Sequence, residues 1–286
     1  MKLSVVLATR NEGANIRSCL ESVKHIADEI IIYDEYSIDN TRDIAKSYNA
    51  RIFKVAHSDN FHITKQKAIA KAKGDWVLQL DADERVSKSL AREILRAVNN
   101  KELAVGDKNK IKLFERYQAL IEKRDRRIGT SDGDVVAYFI PRLNYFLGEP
   151  LRYAGVYPDA VIRLFKNGYG HLPARSVHEL LEVNGKVEWL SSDLIHNESP
   201  TLNRYIDRNN RYTTLIARDF SEMNLKKNLI NFVNYTFLKS LSEFLKLYIR
   251  HKGYKDGMRG FMWSMFSAWR FPLAYFKYWT GEYKTT

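Results

Sequence analysis

The sharpest chemical signal in the chain is Asp81-Ala82-Asp83-Glu84. Two carboxylates at i and i+2, just past a buried strand, can meet one hard divalent cation, Mg2+ or Mn2+. Such a cation neutralises a diphosphate and makes a nucleotide a better leaving group. Asp-x-Asp pairs also occur in many solvated turns, so the weight here lies in position. The motif follows Trp76-Val77-Leu78-Gln79-Leu80, which reads as a buried strand.

Two further polar clusters sit in equivalent places. Thr9-Arg10-Asn11-Glu12 follows the continuous apolar run at residues 3–8. Asp34 and Asp39 follow Glu29-Ile30-Ile31-Ile32-Tyr33. Between these runs lie helical patterns. Residues 15–23 place Ile16, Cys19, Leu20 and Val23 on one face. Residues 41–48 read as a second helix and 51–55 as a third strand. Residues 65–73 read as a helix closed by Gly74. The alternation predicts an α/β fold with a Rossmann-like, doubly wound, mostly parallel sheet. Such sheets bind ligands at the carboxyl ends of their strands, where all three polar clusters fall.

The organisation beyond this sheet follows from charge and composition. Residues 1–200 read as the catalytic domain, with a charged helical insertion at about 99–134. Within it, 108–127 reads as a surface helix and Gly129-Thr130-Ser131-Asp132-Gly133-Asp134 as turn. Residues 201–286 form a basic, aromatic-rich helical extension. They carry 15 basic and 6 acidic groups, hence net +9 of the total +12, and 19 of the 36 aromatics. Ile230, Val233, Phe237, Leu241, Phe244 and Tyr248 make one amphipathic stripe. A second apolar group runs from Phe261 to Trp279, flanked by Arg259, Arg270 and Lys277. Basic charge with aromatics suits an anionic membrane surface. Nucleic acid is not expected, since no helix-turn-helix, zinc-finger or RNA-recognition signature is present.

Cys19 is the one cysteine, so no disulfide forms within the chain and a reducing compartment is implied. Cys19 itself reads as a core residue. The apolar N-terminal run is too short for a signal peptide, and no uncharged run reaches the roughly 18 residues needed to span a bilayer. The expected location is cytoplasmic, peripheral on the inner face of the cytoplasmic membrane. Nothing in the sequence specifies an oligomeric state.

Several segments together resemble the family 2 glycosyltransferases. They are residues 3–12, Asp34-x-x-Ser37-x-Asp39-x-Thr41, and Gly74-Asp75-Trp76 running on to Asp81-Ala82-Asp83-Glu84-Arg85-Val86. The likeness resumes at Pro141-Arg142-Leu143-Asn144-Tyr145-Phe146-Leu147-Gly148. It continues through Tyr157-Pro158-Asp159, Arg163-Leu164-Phe165 and Val177-His178-Glu179. It is closer to the subgroup that includes lipopolysaccharide-core glucosyltransferases. The resemblance implies a GT-A fold, a nucleotide-sugar donor, a glycan or lipid-linked acceptor, a divalent cation and an inverting displacement.

By motif position, Thr9, Arg10, Asn11, Glu12, Asp34 and Asp39 would line the nucleotide. Asp81 would touch ribose or reach the metal through water, with Ala82 beside it, and Asp83 would bind the metal directly. Lys65 is carried over to the donor side. Arg163 would hold the diphosphate or, alternatively, pair with a carboxylate. Glu179 is the first candidate for the general base and Asp159 the second. His178 is a candidate metal ligand, with His196 behind it. One departure stands out: the family usually has a glycine where Tyr36 precedes Ser37, at a turn that would need positive φ. Two other classes compete with this reading. A sugar nucleotidyltransferase would want a Gly- and Lys-rich phosphate loop, which residues 9–13 lack. A non-enzymatic, membrane-recruited binding module would have no need of Asp83 and Glu179 in one cleft.

Overall fold

A computed structural model describes residues 2–58, 60–103, 107–125, 128–173 and 180–284. In chain order the elements begin β1 (Leu3–Thr9), α1 (Ile16–Val23), β2 (Glu29–Asp34), α2 (Thr41–Ser47), β3 (Arg51–Lys54), α3 (Phe61–Ile69) and β4 (Trp76–Leu80). They continue as β5 (Glu84–Val86), α4 (Lys88–Val98), α5 (Lys108–Asp125), β6 (Thr130–Ile140), β7 (Arg142–Phe146), β8 (Glu149–Pro150) and β9 (Val161–Lys166). Then come β10 (Gly170–His171), β11 (Glu182–Val183), β12 (Lys186–Trp189) and β13 (Leu194–Ser199). Four helices close the series: α6 (Leu202–Glu222), α7 (Leu229–Val233), α8 (Lys239–Leu245) and α9 (Gly257–Thr280). The chain divides into two compact units, Met1–Leu143 with Pro158–His196, and Asn144–Tyr157 with Asn197–Thr286.

The first unit is built on a sheet of order β12-β6-β9-β4-β1-β2-β3. β1 pairs in parallel with β2 and β4, β2 with β3, and β12 with β6. β9 alone runs against its neighbours β4 and β6. The strands read as unbroken apolar runs because both faces are covered. Val5 and Leu7 pack on one side with Ile16, Cys19 and Leu20 of α1 and Leu90 and Ile94 of α4. Val6 and Ile31 face the other side, with Ala68 and Ile69 of α3 and Phe139 and Phe165. Cys19 is a core residue as expected, and burial pushes its thiol well above the usual value.

Two local expectations are corrected. The third helix spans Phe61–Ile69 rather than 65–73, starting where the Asn60 side chain accepts from His62 N at 3.0 Å. Its buried positions include His62, Thr64 and Lys65, so apolar periodicity misplaces its ends. Gly74 therefore does not close a helix. A Cβ there would lie 2.8 Å from both the backbone N and Oγ of Ser4, so glycine permits close approach to β1. The segment read as turn at 129–134 belongs mostly to β6, as its exposed first half. The charged helix in the insertion is α5, Lys108–Asp125; residues 126 and 127 lie outside the described residues.

The second unit is mostly helical. Residues 229–250 form a continuous helical run in which α7 and α8 alternate with π-wound turns at Asn234–Leu238 and Lys246–Arg250. Ala217, Phe220, Tyr235, Ala274, Tyr275 and Tyr278 form one core, and Phe146, Leu151 and Tyr205 another. The expected apolar groups divide between packing and exposure. Tyr275 is buried, whereas Ile230, Phe237, Leu241, Trp269 and Trp279 are exposed. Lys277 is not a free flanking charge. Its buried Nζ donates to Asn210 O and Oδ1, Thr213 Oγ1 and Thr214 Oγ1 at 2.7, 2.5, 3.0 and 2.9 Å, clasping α9 to α6. Among the described residues, no helix is long and apolar enough to cross a membrane.

Gly74→Ala should destabilise the first unit by about 1–3 kcal/mol, since the new methyl meets β1 backbone in a filled core. Thermal unfolding measures the loss; an unchanged melting temperature would show that Ser4 yields freely.

Candidate active site

The carboxyl ends of β1, β2 and β4 gather the predicted polar clusters in the first unit. At β2 the hub is Asp34, which has no exposed surface. Its Oδ2 accepts from Thr9 Oγ1 at 3.0 Å and Ser37 Oγ at 2.5 Å, and its Oδ1 accepts from Ser37 N at 2.9 Å. Arg42 Nε stands 3.6 Å from Oδ1. One buried anion with several donors and a nearby cation ties the loop after β1 to the loop after β2.

The same two loops are laced further along. Asn11 N donates to Ser37 Oγ at 2.9 Å, and Asn11 Oδ1 accepts from Ile38 N at 2.9 Å. Glu12 N donates to Thr41 Oγ1 at 2.8 Å, while Gly13 N donates to Asp39 Oδ2 at 2.9 Å. Thr41 also donates to Asp39 through its hydroxyl, which holds that carboxyl below the ordinary range. Tyr36 takes φ of +50° and is 59% exposed. The turn at the family's glycine position thus keeps its left-handed backbone with an aromatic residue in it, a strained choice for a bulky side chain.

Beside Asp34, Glu35 is buried and was not assigned from sequence. Its Oε1 accepts from Thr64 Oγ1 at 2.5 Å, and its Oε2 accepts from His57 Nδ1 at 2.6 Å. His57 Nε2 in turn meets Arg10 NH1 at 2.9 Å. Arg10, His57, Glu35 and Thr64 therefore form one polar chain across three segments. Glu35's place at the end of a buried strand was a usable signal; His57 and Thr64 carry none in isolation.

At β4 the network is ionic. Asp81 Oδ1 lies 2.5 Å from Lys65 Nζ, and Asp81 Oδ2 lies 2.5 Å from Arg163 NH2. Arg163 also reaches Glu84 Oε1 through NH2 at 2.8 Å, and donates to Gln79 Oε1. Glu84 has no exposed surface, and its Oε2 accepts from Asp81 N at 2.9 Å. Burial opposes ionisation of Asp81, but Arg163 and Lys65 outweigh it and hold the carboxyl well below its usual range. Burial likewise opposes the Arg163 charge, and Asp81 and Glu84 overcome it. Of the two roles weighed for Arg163, the geometry is that of a carboxylate-paired arginine. Ala82 is buried among core residues, so its side chain does not face a cleft.

Asp83 lies beyond this network, with a fifth of its side chain exposed, and its Oδ2 is 3.6 Å from His196 Nε2. Burial lowers the His196 pKa, but the bond to Asp83 wins and raises it above the ordinary value. Asp159, with φ of +36°, is held by Arg142 NH2 at 2.7 Å. His178 and Glu179 lie outside the described residues. Among the described residues, no three His, Cys, Asp or Glu side chains form a ready-made metal cage. The donor set still suits a hard cation that draws its other ligands from phosphate and water, as Mg2+ does with one or two carboxylates. Asp83 would hold it directly. Asp81, its oxygens taken by cations, would reach it only through water.

A sequence model of glycosyl transferase family 2 matches residues 4–147, half of the chain. The chain belongs to glycosyl transferase family 2. Its mostly parallel sheet with C-terminal helices is the GT-A arrangement expected of that family. An uncharacterised glycosyltransferase of Rickettsia bellii is 43% identical over 95 residues, 32% of this chain and 31% of that protein. The first curated relatives are thus matched over a third of their length or less. The lipopolysaccharide core biosynthesis glycosyltransferase LpsC of Rhizobium meliloti is 26% identical over 274 residues, 94% of this chain and 88% of that protein. The solved structure of S. aureus TarS with UDP is 15% identical, covers 90% of this chain and 75% of that one, and has a TM-score of 0.41.

Arg163→Met should cost this family 2 chain about 3 kcal/mol, because buried Glu84 and half-buried Asp81 lose their shared cation. The depressed pKa of Asp81 stabilises the native state above the ordinary carboxylate value of about 4. That contribution is lost as pH falls through the lowered folded value, so wild-type stability should drop more steeply in acid than the variant's. Denaturant unfolding at neutral and acid pH measures both effects.

Proposed function

We propose that this chain is an inverting glycosyltransferase that moves a sugar from a nucleoside-diphosphate sugar to a glycan or lipid-linked acceptor. The observation that carries the reading is the partly exposed Asp83 carboxylate at the end of β4, next to the Asp34-ordered loops at the ends of β1 and β2. The similarity to LpsC along nearly the whole chain supports a place in bacterial lipopolysaccharide or surface polysaccharide synthesis.

Arg10, Asn11 and Glu12 line the nucleotide side, on backbone that Thr9, Asp34 and Asp39 hold in place. Lys65 and Arg163 keep Asp81 ionised beside the donor. Mg2+ or Mn2+, held chiefly by Asp83, supplies charge neutralisation at the diphosphate leaving group; His178 is a further candidate ligand. An inverting displacement needs one base for the acceptor hydroxyl. Glu179 takes that role, because Asp159 is engaged by Arg142 and is better placed to orient the loop before β9. The net charge of +9 over 201–286 and the exposed apolar residues there support peripheral binding on the inner face of the cytoplasmic membrane.

Asp83→Asn should abolish transfer at an unchanged melting temperature, since an amide lacks the charge a hard cation needs. Turnover on a panel of nucleotide sugars, after chelation and after return of Mg2+ or Mn2+, tests donor class and metal together. Near-normal turnover in well-folded Asp83→Asn would remove Asp83 from the metal role.

Glu179→Gln should lower kcat by about 10²–10⁴-fold with donor affinity retained. If Asp159→Asn gives that pattern and Glu179→Gln does not, the base is Asp159.

A further inference from the structure

The second unit contains an apolar pocket of about 510 Å³. Leu229 and Phe232, at the start of the 229–250 helical run, form one wall, and Tyr275, Phe276 and Trp279 of α9 form the other. This volume falls in the range of small-molecule sites, about 300–1,000 Å³. None of the site chemistry above uses it. Leu229 is 74% exposed and Trp279 59%, so the pocket's lip is apolar as well as its floor.

The polar groups of the lip are cationic or already satisfied. Lys227 Nζ donates to Trp279 O at 3.0 Å and lies 4.9 Å from the Tyr278 ring centroid. Lys226 beside it is exposed. Asn228 caps α7 by accepting from Asn231 N at 2.9 Å. Among the described residues, no carboxylate lines the pocket. This lining suits an apolar group with an anion at one end. A tryptophan at the lip and lysines beside it are the residues that settle at a headgroup boundary.

We propose that this pocket takes one acyl chain of an anionic membrane lipid, whose headgroup meets Lys226 and Lys227. The proposal rests on the peripheral-membrane reading and deepens it from surface adhesion to capture of a single chain. Adhesion alone needs only the exposed stripe, where Ile230 stands outside the pocket lining.

Monomeric lysophosphatidylglycerol, lysophosphatidylcholine and mixed phosphatidylcholine–phosphatidylglycerol vesicles separate the two. The full chain should bind one lysophosphatidylglycerol, more tightly than lysophosphatidylcholine, and chain-brominated lysolipid should quench a part of the tryptophan emission that Trp279→Phe lacks. Leu229→Gln should weaken lysolipid about tenfold, the loss expected for one apolar side chain. Ile230→Gln should weaken vesicle binding and leave lysolipid affinity unchanged. Vesicle binding without any lysolipid binding would overturn the pocket proposal and leave the membrane reading standing; binding of neither lipid form would overturn both. Equal affinity for the two lysolipids would overturn the role of the lysines. Self-association that Leu229→Gln abolishes, with no lysolipid binding, would assign the pocket to a second copy of the chain.

Discussion

The Arg163 guanidinium joins buried Glu84 and half-buried Asp81, two carboxylates that would repel each other without it. Asp81 and Glu84 stand three residues apart on one turn, and Glu84 also accepts from the Asp81 amide. Charge and backbone are thus settled by the same few atoms. Buried ion pairs repay their desolvation only when geometry and hydrogen bonds are complete. Here Gln79, Lys65 and Arg142 complete them. The turn this network shapes is the one that presents Asp83. That gives the single antiparallel strand of the sheet a purpose, because β9 runs back along β4 and delivers Arg163 there.

The neighbouring strand end solves a similar problem with hydrogen bonds. Asp34 collects donors from both adjoining loops, and the Asn11–Ile38, Glu12–Thr41 and Gly13–Asp39 bonds continue the seam. Within this lattice Tyr36 is held at positive φ, a conformation that isolated chains avoid for bulky residues. The surrounding bonds over-determine the turn, so the local cost is borne by the whole seam.

The parallel sheet was legible in the sequence because both its faces are covered, which leaves unbroken apolar runs with polar punctuation at their ends. Asp81, Asp83, Asp34 and Thr9 were legible for the same reason. Helix α3 was misplaced because its inner face buries His62, Thr64 and Lys65, the last two bonded into the polar network, and apolar periodicity cannot see such a face. His57, Arg142 and the bonds that Glu35 makes were missed on different grounds. Their meaning lies in pairings across the fold, and no local spacing encodes a contact such as that between Arg163 and Asp81, 82 residues apart. Exposure in the helical unit was legible only in part, since one aromatic-rich pattern serves both buried Tyr275 and exposed Trp279.

The Asp34 seam has a consequence for how a ligand is met. Loops that ordinarily become ordered around a nucleotide lose their freedom on association, and that loss weakens affinity. Here the bonds of the seam run within the chain itself, so part of the cost of ordering these loops falls on folding. Intrachain bonds of this kind lessen the ordering that recognition at this edge still requires. Variation in what is recognised then falls to exposed side chains of these loops, among which Tyr36 and Ile38 are the large apolar ones.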